Sequence, residues 1–154
     1  METVIVAPHP DDEIIGCYQF LIKEKPVIIY DGDTETERRD ETKALREHAE
    51  IKAQFYQKAI PPNFLNDNTK FFFPDPIYEN HPLHRRWGHI GEQMARRGLN
   101  VIFYTTNMDA PYIHEVENSA GKEALLNTVY PSQSDLWKYE KKYVFFEGYC
   151  QWHF

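Results

Sequence analysis

Residues 9–13 read His-Pro-Asp-Asp-Glu and contain the side chains best suited to chemistry in this chain. An imidazole beside carboxylates can bind a divalent metal ion, and a second carboxylate can accept a proton from water. A purely structural explanation also exists, because Asp and Glu favour the first turn of a helix. His9 counts against it, since helix capping requires neither an imidazole nor a second carboxylate.

A second group of candidate ligands lies in the middle of the chain, where residues 80–84 read Asn-His-Pro-Leu-His. His81 and His84 are three residues apart, and the proline between them suits the first position of a helix. Both imidazoles can then point to one side. Because a catalytic zinc usually has three protein ligands, the two motifs together supply what the first alone lacks.

The elements that position these motifs follow from hydrophobic periodicity. Continuous apolar runs predict buried strands at residues 3–7, 26–30, 70–73 and 101–105. Apolar residues at helical spacing predict helices at residues 14–22, 34–57, 82–97 and 119–129. Shorter strands are predicted at residues 112–116 and 143–146, with a loop at 60–68. This alternation predicts one α/β domain over residues 1–154, a Rossmann-like three-layer fold with a mostly parallel sheet.

Composition and charge limit the classes of partner. A formal net charge of −7 argues against general binding to nucleic-acid backbones. Cys17 and Cys150 have no metal-ligand spacing, which favours a reduced, cytoplasmic protein. No leader peptide and no membrane span are expected. The chain has neither a Gly-x-Gly-x-x-Gly loop nor a Walker loop, so no dinucleotide or nucleoside triphosphate is indicated.

The chain resembles the PIG-L/LmbE-like family, metal-dependent enzymes that remove acetyl groups from N-acetylglucosaminyl compounds. The resemblance starts with His-Pro-Asp-Asp-Glu directly after an N-terminal strand. Residues 81–84 are similar to the family's His-Pro-Asp-His motif, with Leu83 in place of the aspartate. Lys122 and the Tyr-Pro-Ser-Gln of residues 130–133 are similar to a later family stretch.

Carried over residue by residue, the resemblance implies a complete site. His9, Asp12 and His84 would bind the metal, with zinc favoured over Fe2+ or another divalent ion. Asp11 would be the general base. His81 would stabilise the oxyanion and help to protonate the leaving amine.

Other residues receive weaker assignments. Glu13 is expected to support the metal ligands or cap the helix, and Tyr78 and Tyr112 are expected either to stack on a sugar ring or to pack inside the protein. His114 is an alternative ligand, although a lone histidine in a strand is more often structural. The charges of the 34–57 helix, including Arg38, Arg39 and Arg46, are interpreted as a solvated face, and no substrate-binding arginine is assigned.

Leu83 is the main departure from the family pattern. The family's aspartate would orient or charge the neighbouring histidine, and a leucine cannot do this. Another carboxylate, such as Glu79 or Asp109, is a candidate to replace it in space.

The predicted function is metal-dependent hydrolysis of an N-acetyl or related N-acyl amide on a small-molecule acetamido-sugar conjugate. A metal-bound water would be the nucleophile and Asp11 its base. One alternative is a non-catalytic binding module that retains the metal, and another is a metal-dependent phosphoesterase. A third is an Fe(II) oxygenase, which also uses two histidines and one carboxylate but usually on a jelly-roll fold. The sequence leaves the acetylated compound and the oligomeric state open.

Overall fold

A computed structural model of the chain describes residues 1–56 and 59–152. The strands within these residues are β1 (Glu2–Ala7), β2 (Val27–Asp31), β3 (Ala53–Tyr56), β4 (Thr69–Pro74), β5 (Asn100–Tyr104), β6 (Ile113–Glu115) and β7 (Phe146–Cys150). The α-helices are α1 (Asp12–Glu24), α2 (Thr36–Ala49), α3 (Pro82–Arg96), α4 (Ser119–Val129), α5 (Ser134–Tyr139) and α6 (Lys142–Phe145). Short 3₁₀ turns occur at Pro62–Phe64 and Pro131–Gln133.

The strands form one mixed sheet in the order β3-β2-β1-β4-β5-β7-β6. The first five strands in this order are parallel, whereas β7 is antiparallel to both β5 and β6. The chain runs outward from β1 to β3, crosses back to β4 beside β1 and continues to β5. It then forms the edge strand β6 and returns as β7 between β5 and β6. The strand order therefore reverses between β1 and β4, the place where open α/β sheets bind ligands. The predicted α/β fold with a mostly parallel sheet is confirmed.

Both faces of the sheet are buried, which explains the uninterrupted apolar runs in its strands. Val4 and Val6 of β1 belong to one core cluster with Trp87 of α3. Ile5 belongs to a second cluster that includes Leu21 of α1, and helices α2 and α4 also contribute to that side. Strand alternation thus divides the core into the two halves of a three-layer structure.

The helix predicted over residues 34–57 is wrong in its second half. Helix α2 ends at Ala49, because Glu50 adopts a left-handed conformation with φ of 57° and donates its N–H to Arg46 O. Residues 53–56 form β3, which pairs in parallel with β2. The ring of Phe55 stacks on Tyr30, with 5.3 Å between centroids. Gln57, which the prediction included, lies outside the described residues.

The strand predicted at residues 143–146 is shifted in the structure. Residues 143–145 lie in α6, and β7 begins only at Phe146. Val144 is fully buried from a helical position, so its apolar character reflects packing and not strand geometry. The other predicted strands and helices are present with small changes at their ends.

No helix in the described part of the chain has both the length and the apolar character needed to cross a membrane.

Candidate metal centre

The turn between β1 and α1 presents the first motif at the carboxyl end of the sheet. Inside this turn, the N–H of Asp12 donates to His9 O at 3.1 Å, and the N–H of His9 donates to Asp12 Oδ2 at 2.8 Å. Asp11 has φ of 114°, a conformation that residues other than glycine rarely adopt. The helix-capping explanation fails for Asp11, because its side chain makes no cap hydrogen bond.

Glu13 holds this turn through hydrogen bonds on its buried side. Its Oε2 accepts the N–H of Asp11 at 3.1 Å, and its Oε1 accepts the hydroxyls of Tyr30 and Tyr130. Complete burial raises the pKa of Glu13 to about 7, against the opposing effect of the two tyrosine hydrogen bonds. Glu13 therefore supports the turn and does not join the cluster formed by its neighbours.

The second motif reaches the same place from the end of β4, the strand beside β1. Pro82 is the first residue of α3 and His81 is its N-cap, so His84 lies in the first turn with 4% of its surface exposed. His84 Nε2 is 3.0 Å from Asp12 Oδ2 and 3.0 Å from His9 Nδ1. The third side of the triangle, from His9 Nδ1 to Asp12 Oδ2, measures 3.3 Å.

These three atoms are spaced like the ligands of one metal ion. Two ligand atoms of a tetrahedral zinc with bonds of about 2.0–2.1 Å lie roughly 3.3 Å apart. His9, Asp12 and His84 can therefore hold a divalent metal ion. Two imidazole nitrogens and one carboxylate oxygen suit zinc and also suit Fe2+, so the donor set alone does not choose between them.

Glu79 lies beside His84, the most buried of these candidate ligands. Its Oε1 lies 3.5 Å from Nδ1 of His84, and the N–H and hydroxyl of Thr106 hold the Glu79 carboxylate. A carboxylate on the far side of a histidine fixes the proton on Nδ1 and leaves Nε2 free for a metal. Glu79 therefore lies beside His84, whereas the sequence suggests it as a partner for His81.

The electrostatics of the cluster favour a positive charge at its centre. Burial alone would raise the pKa of Asp12, but the charge and hydrogen bonds of His84 and His9 outweigh burial and lower it. Burial opposes protonation of His84, yet Asp12 and Glu79 raise its pKa to about 10. The carboxylates around His84 therefore stabilise either a proton or a metal cation.

Asp11 faces Arg38 beside the candidate metal ligands. Arg38 Nη2 lies 3.4 Å from Asp11 Oδ2 and also donates to Pro10 O. Burial and the nearby Asp12 raise the pKa of Asp11, and Arg38 opposes the shift. The solvated-face interpretation is wrong for Arg38. The position of Arg38 in the chain could have indicated its contact with the site. Helix α2 begins shortly after β2, the neighbour of β1, so its N-terminus must lie at the same edge of the sheet.

His81 lies at the exposed mouth of the cluster, with its ring centroid 4.7 Å from that of His9. Its Nδ1 accepts the N–H of Leu83 at 3.1 Å, which leaves the proton of the neutral ring on Nε2. Burial and the nearby His9 and His84 lower the pKa of His81. A backbone N–H therefore orients His81, so the leucine at position 83 does not leave this imidazole unsupported.

The two candidate tyrosines belong to a separate aromatic group. Tyr112 donates its hydroxyl to the buried Asp75, and Tyr78 stacks on Trp152 with 6.0 Å between centroids. Their rings also contact each other edge to face. These contacts are packing contacts within the protein, which is one of the two roles expected for these tyrosines. His114 is exposed and lies beside Gln19 and Tyr149, apart from the cluster.

Two cavities open beside the cluster. One of about 370 Å³ is lined by Pro8, His9, Asp31, Asp33, Thr34, Glu35, Arg38, Leu83 and Gln133. The other, of about 210 Å³, includes Glu79 and His81 in its lining. A larger cavity of about 540 Å³ lies between α2 and β3 and is lined by none of the cluster residues.

No protein-family model, curated protein or solved structure matches the chain. A function is therefore inferred from the geometry of the site, together with the motif resemblance.

Proposed function

We propose that the chain is a zinc-dependent hydrolase that removes an acetyl or related acyl group from the nitrogen of a sugar-containing compound. The observation that carries the proposal is the triangle of His9 Nδ1, Asp12 Oδ2 and His84 Nε2, with sides of 3.0–3.3 Å. The triangle lies at the reversal of strand order and has a further carboxylate, Asp11, beside it. Zinc sites of two histidines and one carboxylate keep a fourth position open for catalysis.

A divalent ion held by these residues would lower the pKa of water and polarise the substrate carbonyl. Asp11 would then accept a proton from the attacking water, and this proton would pass to the amide nitrogen, with help from His81, as the C–N bond breaks to release the acid and the amine. The Nη2 group of Arg38, 3.4 Å from Asp11 Oδ2, keeps the base aimed into the site. The neighbouring Asp12 would bind the metal, so the two adjacent carboxylates have different roles: one is a metal ligand and the other a general base.

His81 acts on the opposite side of the reacting amide. Its neutral ring carries a proton on Nε2, because Nδ1 accepts the N–H of Leu83. This Nε2–H donates to the oxygen that becomes negative during attack. A lowered pKa suits this role, since a neutral imidazole can donate a hydrogen bond without first binding a second proton.

The test uses Asp11→Asn. Asparagine is among the residues that best tolerate positive φ, so the turn is expected to keep its conformation. We expect the release of amine from N-acetylglucosamine compounds to fall by at least about 100-fold, while zinc content stays near that of the parent protein. His84→Ala is the companion variant, and we expect it to lose both zinc and activity.

Full activity in Asp11→Asn would contradict the assignment of the base. A zinc-replete parent protein that hydrolyses no acetamido sugar would favour the alternative, a binding module that retains the metal. Phosphoesterase activity is disfavoured, because the described residues show ligands for one metal ion and not for the pair that many phosphoesterases use.

A further inference from the structure

We propose that the 540 Å³ cavity between α2 and β3, which we call the β3 groove, binds an acidic segment of a partner protein in extended conformation. The groove is lined by four cations, Arg39, Lys43, Arg46 and Lys52, and by the strand residues 53–55. The bound segment adds one strand to the free edge of the sheet, beside β3. None of the metal-cluster residues lines the groove, and partner binding there goes beyond the proposed hydrolysis.

Strand β3 offers unpaired backbone groups to such a segment. It is the first strand of the sheet and, among the described strands, it pairs with β2 alone. The carbonyls of Lys52 and Tyr56 accept N–H groups in and just after β2 at 2.9 and 2.8 Å, so these residues direct their backbone toward β2. Backbone groups alternate in direction along a strand, and those of Ala53 and Phe55 therefore point away from the sheet. An unpaired edge of this kind is a template for a further strand.

Three cations of the β3 groove have no carboxylate partner among the described residues. The fourth, Lys43, is paired with Asp40 at 3.1 Å, and this pair carries no net charge. Arg39 donates to two backbone carbonyls, and its Cζ lies 4.5 Å from the centroid of an aromatic ring of β3, so its charge is not neutralised. The side chains of Arg46 and Lys52 are exposed and form no hydrogen bond or ion pair within residues 1–56 and 59–152. The groove is therefore locally positive, although the whole chain has a formal net charge of −7.

These charges decide which kind of strand can occupy the edge. Pairing of two copies of the chain through β3 is disfavoured, because each copy would bring the same three cations to the new interface. A nucleic-acid strand has no amide groups for the free edge, and the net charge of −7 repels its backbone. An acidic peptide satisfies both features of the groove. Its carboxylates meet Arg39, Arg46 and Lys52, and its amides pair with Ala53 and Phe55.

The test uses fluorescently labelled, C-terminally amidated heptapeptides that differ in charge or in backbone. The acidic probe alternates Thr and Glu, and the neutral probe alternates Thr and Gln. A third probe has the acidic sequence with N-methyl groups on two consecutive residues, which removes amide donors from both of its edges without changing its charge. We expect the acidic probe to bind the full chain at least about tenfold more tightly than either of the others at low salt, measured by fluorescence anisotropy.

Two further measurements assign binding to the β3 groove. In hydrogen-exchange NMR, the acidic probe should slow the exchange of the two β3 amides that point away from the sheet. The double variant Arg46→Gln, Lys52→Gln should weaken binding of the acidic probe by about fivefold. The matched control is Lys23→Gln, Arg97→Gln, which removes two exposed cations that do not line the groove, and we expect it to leave the affinity unchanged.

Several results would overturn the peptide groove. One is equal affinity for the neutral or the N-methylated probe, or no binding of the acidic probe at about 1 mM. Another is an equal loss of affinity in the two double variants, since the attraction would then come from the overall charge. Tighter binding of a hexauridylate RNA, or slow exchange at the β3 edge through self-association without any peptide, would give the groove a different occupant. None of these results bears on the metal cluster, which lies outside the groove.

Discussion

Three consecutive carboxylates have different roles because their surroundings differ. Asp12 points at two imidazoles that lower its pKa, Asp11 points at Arg38, and Glu13 points into the protein at two tyrosine hydroxyls. The left-handed conformation of Asp11 separates the directions of its neighbours. Sequence alone could identify the group of acids, but their division of roles depends on partners up to 117 residues away.

Glu79 is predicted to strengthen metal binding through His84. Glu79→Gln removes the negative charge that faces Nδ1 of this ligand. We expect zinc affinity, measured by competition with a chromophoric chelator, to fall by about tenfold or more. The control is Asp109→Asn, an exposed acid that lines the same 210 Å³ cavity, and an equal loss in that variant would contradict the role of Glu79.

Glu13 is predicted to make stability depend on pH. Its pKa is raised from 4.5 in the unfolded chain to about 7 in the folded protein, so the folded state binds this proton more tightly. The stabilisation is complete below about pH 4.5 and is lost as pH rises through 7. Relative to Glu13→Gln, the parent's free energy of unfolding should fall by about 2.5 kcal/mol between pH 5 and 8. The free energies of unfolding are measured in urea at each pH. An equal change in both proteins between pH 5 and 8 would contradict this prediction.

At the scale of elements, α3 connects the core to the site. Pro82 and the N-cap His81 start the helix at the place that brings His84 to Asp12, and Trp87 and Met94 bury the same helix against the sheet. Gly88, one turn after His84, lies against the loop that follows β4. A Cβ at this position would be 2.7 Å from Pro74 O and 2.9 Å from Pro76 Cα.

Gly88→Ala is therefore predicted to destabilise the protein. Alanine in a helix is normally favoured over glycine by about 1 kcal/mol, but here the added methyl group meets backbone that cannot move aside easily. We expect a net loss of about 1–3 kcal/mol in the free energy of unfolding, measured in urea. His89→Ala, an exposed change at the next residue, should stay within about 0.5 kcal/mol. An unchanged or raised stability of Gly88→Ala would contradict the close packing.

The elements also show where local patterns stop being informative. Residues 44, 48, 51 and 55 keep near-helical spacing across the end of α2, yet the last of them belongs to β3. Residues 53–56 become a strand because they pair with β2, and this long-range pairing cannot be predicted from the residues of the segment alone. The helical pattern also places Arg38 on a charged face, but it does not show that this face meets the β1–α1 turn, where Arg38 contacts Asp11.

At the scale of the molecule, the site exists because the strand order reverses between β1 and β4. The two motifs follow adjacent parallel strands, so their turns meet although His9 and His84 are 75 residues apart. This meeting was predictable, since each motif follows an apolar run, the second after a short loop, and the carboxyl ends of parallel strands share one edge of a sheet. The contacts that Glu79, Arg38 and Tyr130 make with the site residues were not predictable, because each contact depends on which loops converge at that edge.

Zinc-edge anomalous diffraction from crystals of the zinc-loaded protein tests the central claim most directly. We predict one strong peak within about 2.0–2.2 Å of His9 Nδ1, Asp12 Oδ2 and His84 Nε2. The absence of a peak at these three atoms, or a single peak bound by other residues, would contradict the shared metal site and the hydrolase that depends on it.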